Sequence, residues 1–254
     1  MKKEMTSQSN KTKINNLHLQ KDERLDDLQY NNLYIIQNKY NYCFSSDAVL
    51  LCNFVKAKKT DTIVDLCSGS GVVGILAQAK TNAKQLYMIE LQKELANMCE
   101  RSIEYNGLQD KAKVFCCDIV DAQKILFQET SKKQFDVVCV NPPYYLPTQK
   151  KLSGKEQIDI AKFELRLNLN SICKVASNLL KFGGKFFMIN DSDRIAEIIQ
   201  TMQKHDLQPK VLEFVFPKPN TKSNVVLIEA IKAGKSGINV VCKNLYWYKL
   251  SIFI

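Results

Sequence analysis

The chain has 254 residues, 45% of them hydrophobic, which suffices for one large domain or two small ones and excludes a globally disordered protein. Lys and Arg outnumber Asp and Glu 36 to 26, and the resulting net charge of +10 points to a polyanionic partner or an anionic surface while saying nothing of fold. The nine cysteines are scattered without a C-x-x-C, and His18 and His205 have no cysteine at ligand spacing, so we expect reduced thiols in a cytoplasmic protein without a metal site.

The N-terminus is polar and shows no signal-peptide pattern, and no apolar run reaches the ~18 residues needed to span a bilayer. Residues 1–24 are rich in Lys, Asn, Gln, Ser and Thr and read as a flexible basic arm. Residues 25–60 read as cap elements. They comprise a strand over Leu33–Gln37, a hairpin partner over Tyr40–Phe44, and a helix opened by Ser46-Asp47 with Ala48, Val49, Leu50, Leu51, Phe54 and Val55 on its apolar side.

From Thr62 onward strands and helices alternate. The strand Thr62–Leu66 runs into Cys67-Ser68-Gly69-Ser70-Gly71-Val72-Val73-Gly74, a G-x-G-x-x-G after a strand and before a helix. Its glycines permit a tight turn and close approach of a ligand, and the helix N-terminus adds free N–H groups. By itself this pattern fits NAD, FAD or S-adenosylmethionine. The strand Gln85–Ile89 ends at Glu90, nineteen residues beyond Gly71, where an acid suits a ribose diol. A helix over Leu91–Tyr105 stops at Asn106-Gly107, and the strand Lys113–Cys117 ends at Asp118. After a helix around Ala122–Gln128, the buried-strand pattern Phe135–Val140 runs into Asn141-Pro142-Pro143-Tyr144.

Neither proline can donate to a ladder, so the strand must end there. The plain reading is a rigid strand exit. The sharper reading is a clamp for a planar group bearing an NH2, with Asn141 Oδ1 and the Pro142 carbonyl accepting its hydrogens and Tyr144 stacking on its face. Residues 145–162 form a polar, lysine-bearing loop, followed by a helix over Leu165–Leu180, a strand over Lys185–Asn190 and a helix over Ile195–Lys204. The strands Val211–Phe216 and Val225–Ile231 are joined by too few residues for a crossover helix and are therefore antiparallel. The pattern predicts an α/β Rossmann-like fold with a seven-stranded, mostly parallel sheet, a closing antiparallel hairpin and helices on both faces. One domain then covers 25–232, with its core at 61–232 and a tail at 233–254.

Asp65, Glu90, Asp118 and Asn141 close four consecutive strands, where open α/β sheets hold their ligands, although each taken singly suits an ordinary cap. With these residues the chain resembles class I S-adenosylmethionine-dependent methyltransferases that act on amino groups. More narrowly, it is similar to the bacterial tRNA(Val) adenine N6-methyltransferases. The stretches that carry the narrower likeness are Glu23-Arg24-Leu25-Asp26-Asp27-Leu28, Phe44-Ser45-Ser46-Asp47-Ala48-Val49-Leu50-Leu51, Ile63–Gly69 and Arg101–Asn106.

The resemblance implies S-adenosylmethionine as cofactor. Gly69 and Gly71 would pass its methionine part, with Phe44 and Asp47 at that end and Asp65 among the binding residues. Glu90 would take its ribose, and Asp118 its adenine amino group with Ile119 alongside. Asn141, Pro142 and Tyr144 would hold the target adenine. Where relatives carry Arg-His before the next Glu, this chain has Lys162-Phe163 before Glu164. Lys150, Lys151, Lys155, Lys218 and Lys222 flank the expected site and read as RNA contacts, though each alone is an ordinary surface lysine. The expectation is a monomer acting on tRNA, with no membrane partner. The alternatives are methylation of DNA adenine or a protein glutamine amide, and an RNA-binding protein without turnover. A nicotinamide oxidoreductase would leave the Asn-Pro-Pro-Tyr stretch without a task.

Overall fold

The computed structural model describes residues 18–41, 43–143, 154, 158–159 and 167–244, with residues 243 and 244 described by backbone alone. The strands in chain order are β1 (Glu23–Asp27), β2 (Tyr34–Asn38), β3 (Thr62–Leu66), β4 (Gln85–Glu90), β5 (Ala112–Cys116), β6 (Phe135–Val140), β7 (Leu180–Asp191), β8 (Leu207–Phe216), β9 (Val225–Lys232) and β10 (Asn239–Asn244). The helices are α1 (Ser46–Phe54), α2 (Val72–Thr81), α3 (Lys93–Asn106), α4 (Ala122–Thr130), α5 (Leu169–Leu179) and α6 (Ile195–Lys204).

The main sheet has the order β10-β8-β9-β7-β6-β3-β4-β5. Strands β3 to β7 are mutually parallel where paired, and β9 runs antiparallel between β7 and β8. The mostly parallel sheet with a closing antiparallel hairpin is as expected, but it has eight strands rather than seven. The eighth, β10, lies within the stretch 233–254 and pairs in parallel with β8. Its short apolar run, Val240-Val241-Cys242, gives little periodicity to read.

Successive residues of the central strands face two different apolar layers. Ile63, Val137, Phe187 and Leu227 meet α1, α2 and α3 on one face. Val64, Val138, Phe186 and Ile228 meet α4, α5 and α6 on the other. Burial on both sides explains why these strands read as continuous hydrophobic runs. The ladder register brings the carboxyl ends of β3, β4, β5, β6 and β7 to one edge of the sheet. The β8–β9 turn joins that edge, because Val215 and Asp191 both pair with Val225.

The cap differs from expectation in its pairing. The partner of β2 is β1, with Leu25 opposite Ile36, and not the stretch Tyr40–Phe44. Asn31 and Asn32 both adopt left-handed backbone, φ 49° and 53°, and Leu33 N donates to Tyr30 O at 2.9 Å, which makes a type I′ turn. The hairpin is fastened to α3 by polar contacts. Ile36 N donates to Ser102 Oγ at 2.9 Å, Tyr34 N donates to Asn106 Oδ1 at 2.9 Å, and Asn106 Nδ2 returns to Tyr34 O at 2.7 Å. Arg101 forks onto both oxygens of Glu23, whose side chain is 3% exposed.

Burial alone would raise the Glu23 carboxyl, but the Arg101 guanidinium and the Gln20 amide outweigh it and hold it below its ordinary 4.5. The pair therefore stabilises the fold above that value, and its contribution is lost as pH falls through the lowered one. Arg101→Met is expected to cost roughly 1–3 kcal/mol at neutral pH, because it strands a buried carboxylate. Denaturant unfolding at several pH values checks this, and the gap between wild type and variant should close on acidification.

Candidate active site

β3 leaves the sheet at Leu66 through a turn of left-handed residues: Cys67 at φ 57°, Gly69 at 57° and Gly71 at 96°. Ser68 N donates to Ile89 O at 3.0 Å, which ties the turn to the end of β4, and Gly71 N donates to Ser68 O at 2.9 Å within the turn. A Cβ on Gly71 would lie 2.6 Å from Cys99 Sγ, so the turn has room there for glycine alone. A Cβ on Gly69 would meet nothing within 4 Å, so that backbone faces open space.

Asp65 is placed beneath this turn. Its Oδ2 accepts from Gly74 N at 2.9 Å, in the first turn of α2, and its Oδ1 from Cys139 Sγ at 3.6 Å. A Cβ on Gly74 would lie 3.0 Å from Asp65 Oδ2 and 2.9 Å from Met88 Sδ, so the third glycine of the motif is what lets helix and strand close on the carboxylate. Burial raises the Asp65 carboxyl to about 7, outweighing both donors.

Glu90 stands at the end of β4, 5% exposed, and accepts from Gly69 N through Oε2 and from Gln92 N through Oε1, both at 2.8 Å. Burial raises its carboxyl as well. Asp118 Oδ1 accepts from Val120 N at 3.1 Å, and its Oδ2 has no partner among the described residues. Ile119 is buried behind it, while Leu91 and Val120 are exposed beside Glu90 and Asp118. The amide of Asn141 follows β6 half-buried, with no polar partner among the described residues, and Pro142 is buried next to it.

The structure thus brings Gly69, Gly71, Glu90, Asp118, Ile119, Asn141 and Pro142 to one edge, with Asp65 below the turn rather than on the rim. Phe44 packs half-buried on the α1–α3 side, and Asp47 sits in the first turn of α1, whose N-cap is Ser45. Lys218 and Lys222 reach the same edge on the β8–β9 turn. Lys222 is paired with Asp193 across a well-exposed contact. Tyr144, Lys150, Lys151 and Lys155 lie outside the described residues, as do 1–17 of the basic arm.

Two buried side chains were not singled out from sequence. Gln37, 1% exposed, donates through Nε2 to Ser70 Oγ and accepts from Phe44 N at 3.1 Å through Oε1. Ser68 Oγ is buried in the turn with no partner among the described residues. A polar residue closing the apolar run Leu33–Gln37 was the available signal for the first, and the turn itself for the second.

A buried hydroxyl without a partner among the described residues, an open backbone at Gly69 and two carboxylates with spare acceptor sites make a cradle for a ligand rich in hydroxyl and amino groups. All nine cysteines are free, and burial pushes the Cys67 and Cys139 thiols well above their ordinary value, so neither is a reactive thiolate. No cluster of metal-ligating side chains and no helix long and apolar enough to cross a membrane occurs among the described residues.

The strand order, the reversed β9 and the glycine turn at the switch point between β3 and β6 define a class I methyltransferase fold. The chain belongs to the methyltransferase small domain family, whose model matches residues 44–210. It is similar to a tRNA1(Val) (adenine(37)-N6)-methyltransferase of Shewanella halifaxensis, at 25% identity over 65% of this chain and 64% of that protein. One of the same description from Phocaeicola vulgatus is 24% identical over 72% of this chain and 74% of its own length. Among solved structures, a predicted O-methyltransferase from Agrobacterium tumefaciens superposes with a TM-score of 0.61 at 21% identity, covering 78% of this chain and 86% of that one. Methanocaldococcus jannaschii Trm5 in complex with adenosine superposes at 0.58 and 14% identity, covering 85% and 57%.

Asp65 supplies a test of the turn. A carboxyl raised from 3.8 to about 7 binds its proton more tightly in the folded chain, so its contribution is full below 3.8 and declines as pH rises through 7. Asp65→Asn should remove that decline. Unfolding midpoints across this range should therefore fall more steeply with pH for wild type than for the variant, and parallel profiles would contradict the placement.

Proposed function

We propose that the chain is an S-adenosylmethionine-dependent methyltransferase acting on the N6 amino group of an adenine in tRNA, A37 of tRNA(Val) by analogy with the relatives. The observation that carries this reading is the shared edge: the carboxylates of Glu90 and Asp118 and the glycine turn lie on the same rim as Asn141 and Pro142. Dinucleotide enzymes also use a glycine turn and an acid, but they give an Asn-Pro-Pro stretch no task.

In this reading Glu90 accepts from the cofactor's ribose hydroxyls. Its existing bonds to Gly69 N and Gln92 N use one lone-pair site on each oxygen. Asp118 Oδ2 accepts from the adenine amino group, with Ile119 and Leu91 offering apolar surface to the ring. Gly69, Gly71, Phe44 and Asp47 border the methionine end, and Asp65 holds the turn from below. Bound there, S-adenosylmethionine supplies an electrophilic sulfonium methyl.

The chain's own contribution is positioning. An N6 lone pair delocalised into the ring is a poor nucleophile. Acceptance of both amino hydrogens, by Asn141 Oδ1 and the Pro142 carbonyl, favours a pyramidal nitrogen with its lone pair free. The surplus proton leaves to water. Tyr144 stacks on the extruded base, which costs less to unstack from a loop than from a duplex. Lys150, Lys151, Lys155, Lys218 and Lys222 meet phosphates. A monomer in the cytoplasm, with its methyltransferase domain at 25–232, suits this task.

The test is methyl transfer from labelled S-adenosylmethionine to total tRNA lacking the modification, beside DNA and protein acceptors. One tRNA species should carry the label as N6-methyladenosine, and Asn141→Ala should lose roughly 100-fold or more. Label in DNA or protein would overturn the tRNA substrate. No label despite cofactor binding would overturn the activity. Separately, tRNA affinity should fall at least about tenfold between 50 and 200 mM salt, and a flat profile in a filter-binding titration would remove the lysines from the RNA contact.

A further inference from the structure

The hairpin β1–β2 meets the glycine turn through one side chain. Gln37 shares the inward face of β2 with Ile35, two residues before, and is buried to the same degree. The Phe44 backbone N–H is a donor and can meet only the amide oxygen. This fixes the orientation of the Gln37 amide, with Oε1 on Phe44 N and Nε2 on Ser70 Oγ. Ser70 Oγ then serves as acceptor toward Gln37, so its own proton remains available for another partner. Ser70 is 6% exposed and lies between Gly69, whose backbone faces open space, and Gly71, where the turn tolerates no Cβ. Phe44 leads directly into the Ser45 cap of α1. One amide therefore joins three walls: the hairpin, the glycine turn and the entrance to α1.

We propose that Gln37 is a positioning residue that holds the Ser70 hydroxyl as a donor toward the ligand and locks Phe44 in register with the turn, so that cofactor affinity depends on it. This rests on the cofactor reading given above. The reach of the side chain matters: asparagine is one methylene too short to bridge Ser70 and Phe44, and methionine keeps the volume while losing both bonds. An isosteric loss leaves the half-buried Phe44 N–H and the buried Ser70 hydroxyl without their partner, which loosens the turn as well as the hairpin.

The experiment separates this role from ordinary hairpin docking. Gln37→Met, Ser70→Ala, the double variant and Ser102→Ala are compared by thermal unfolding and by calorimetric titration with S-adenosylhomocysteine. Ser102 is a fair control because its Oγ receives the neighbouring amide, Ile36 N, at 2.9 Å and donates to Met98 O within α3, with no hydrogen bond to the turn among the described residues. Gln37→Met should weaken binding about tenfold, or about 1.4 kcal/mol. The double variant should weaken binding by less than the two single changes combined, because both remove the held Ser70 hydroxyl. Ser102→Ala should lower the melting temperature and leave the dissociation constant unchanged. Equal dissociation constants for wild type and Gln37→Met, or equal weakening by Gln37→Met and Ser102→Ala, would overturn the proposal while leaving the cofactor reading intact. Failure of the wild-type chain itself to bind S-adenosylhomocysteine would overturn both.

Discussion

Everything at the candidate site depends on the turn between Leu66 and Val72, where the chain must leave a core strand and enter a helix within a few residues. It does so with left-handed backbone at Cys67, Gly69 and Gly71. Such a conformation costs a residue with a Cβ about 1 kcal/mol, so the two glycines take it freely and Cys67 does not. What holds the turn is the set of contacts beneath and beside it: Gly74 N on Asp65, Ser68 N on Ile89 O, and Gly69 N on Glu90. Asp65 and Glu90 are both buried carboxylates whose partners are backbone N–H groups and, for Asp65, the Cys139 thiol, rather than cations. The helix N-terminus of α2 supplies part of the compensating field to Asp65. The same backbone that folds around the two acids leaves Gly69 open and the hydroxyl of Ser68 without a partner among the described residues.

The hairpin is the second element the site needs. It is not part of the main sheet, and its composition is too polar to bury itself. Its position comes from α3, through Arg101, Ser102 and Asn106, and from Ile36 packed against Leu95 and Met98. The stretches Glu23–Leu28 and Arg101–Asn106 are therefore two sides of one joint. Through Gln37 the hairpin also reaches Ser70, so a largely buried ion pair, a backbone hydrogen bond to a helix serine and one glutamine amide together seat it against α3 and the glycine turn.

Much of the architecture was legible because the central strands are buried on both faces and announce themselves as apolar runs. The strand-end residues Glu90, Asp118 and Asn141 and the glycines could be placed at one edge because parallel strands with right-handed crossovers leave no other arrangement. What was not legible depended on contacts distant in sequence. β1 is charged at every position but Leu25, Glu23-Arg24-Leu25-Asp26-Asp27, and is a strand only because β2 and α3 hold it. The Asn31-Asn32 pair was the local sign of its turn, while Tyr40–Phe44 offered a more apolar but wrong partner. β10 is a short edge strand whose pairing with β8 has no local signature. Asp65 read as one of four polar residues closing strands, yet its place one residue before the end of β3 turns it beneath the glycines, because alternate strand residues face opposite sides.

The most direct test of the account is a crystal structure of the full chain with S-adenosylhomocysteine. The account predicts the ribose on Glu90, the adenine beside Asp118 and Ile119, and the methionyl end against Gly69 and Ser70, pointing toward Asn141, with Gln37 still bridging Ser70 and Phe44. A ligand bound away from the carboxyl ends of β3, β4 and β5, or one that leaves Glu90 and Asp118 untouched, would contradict it.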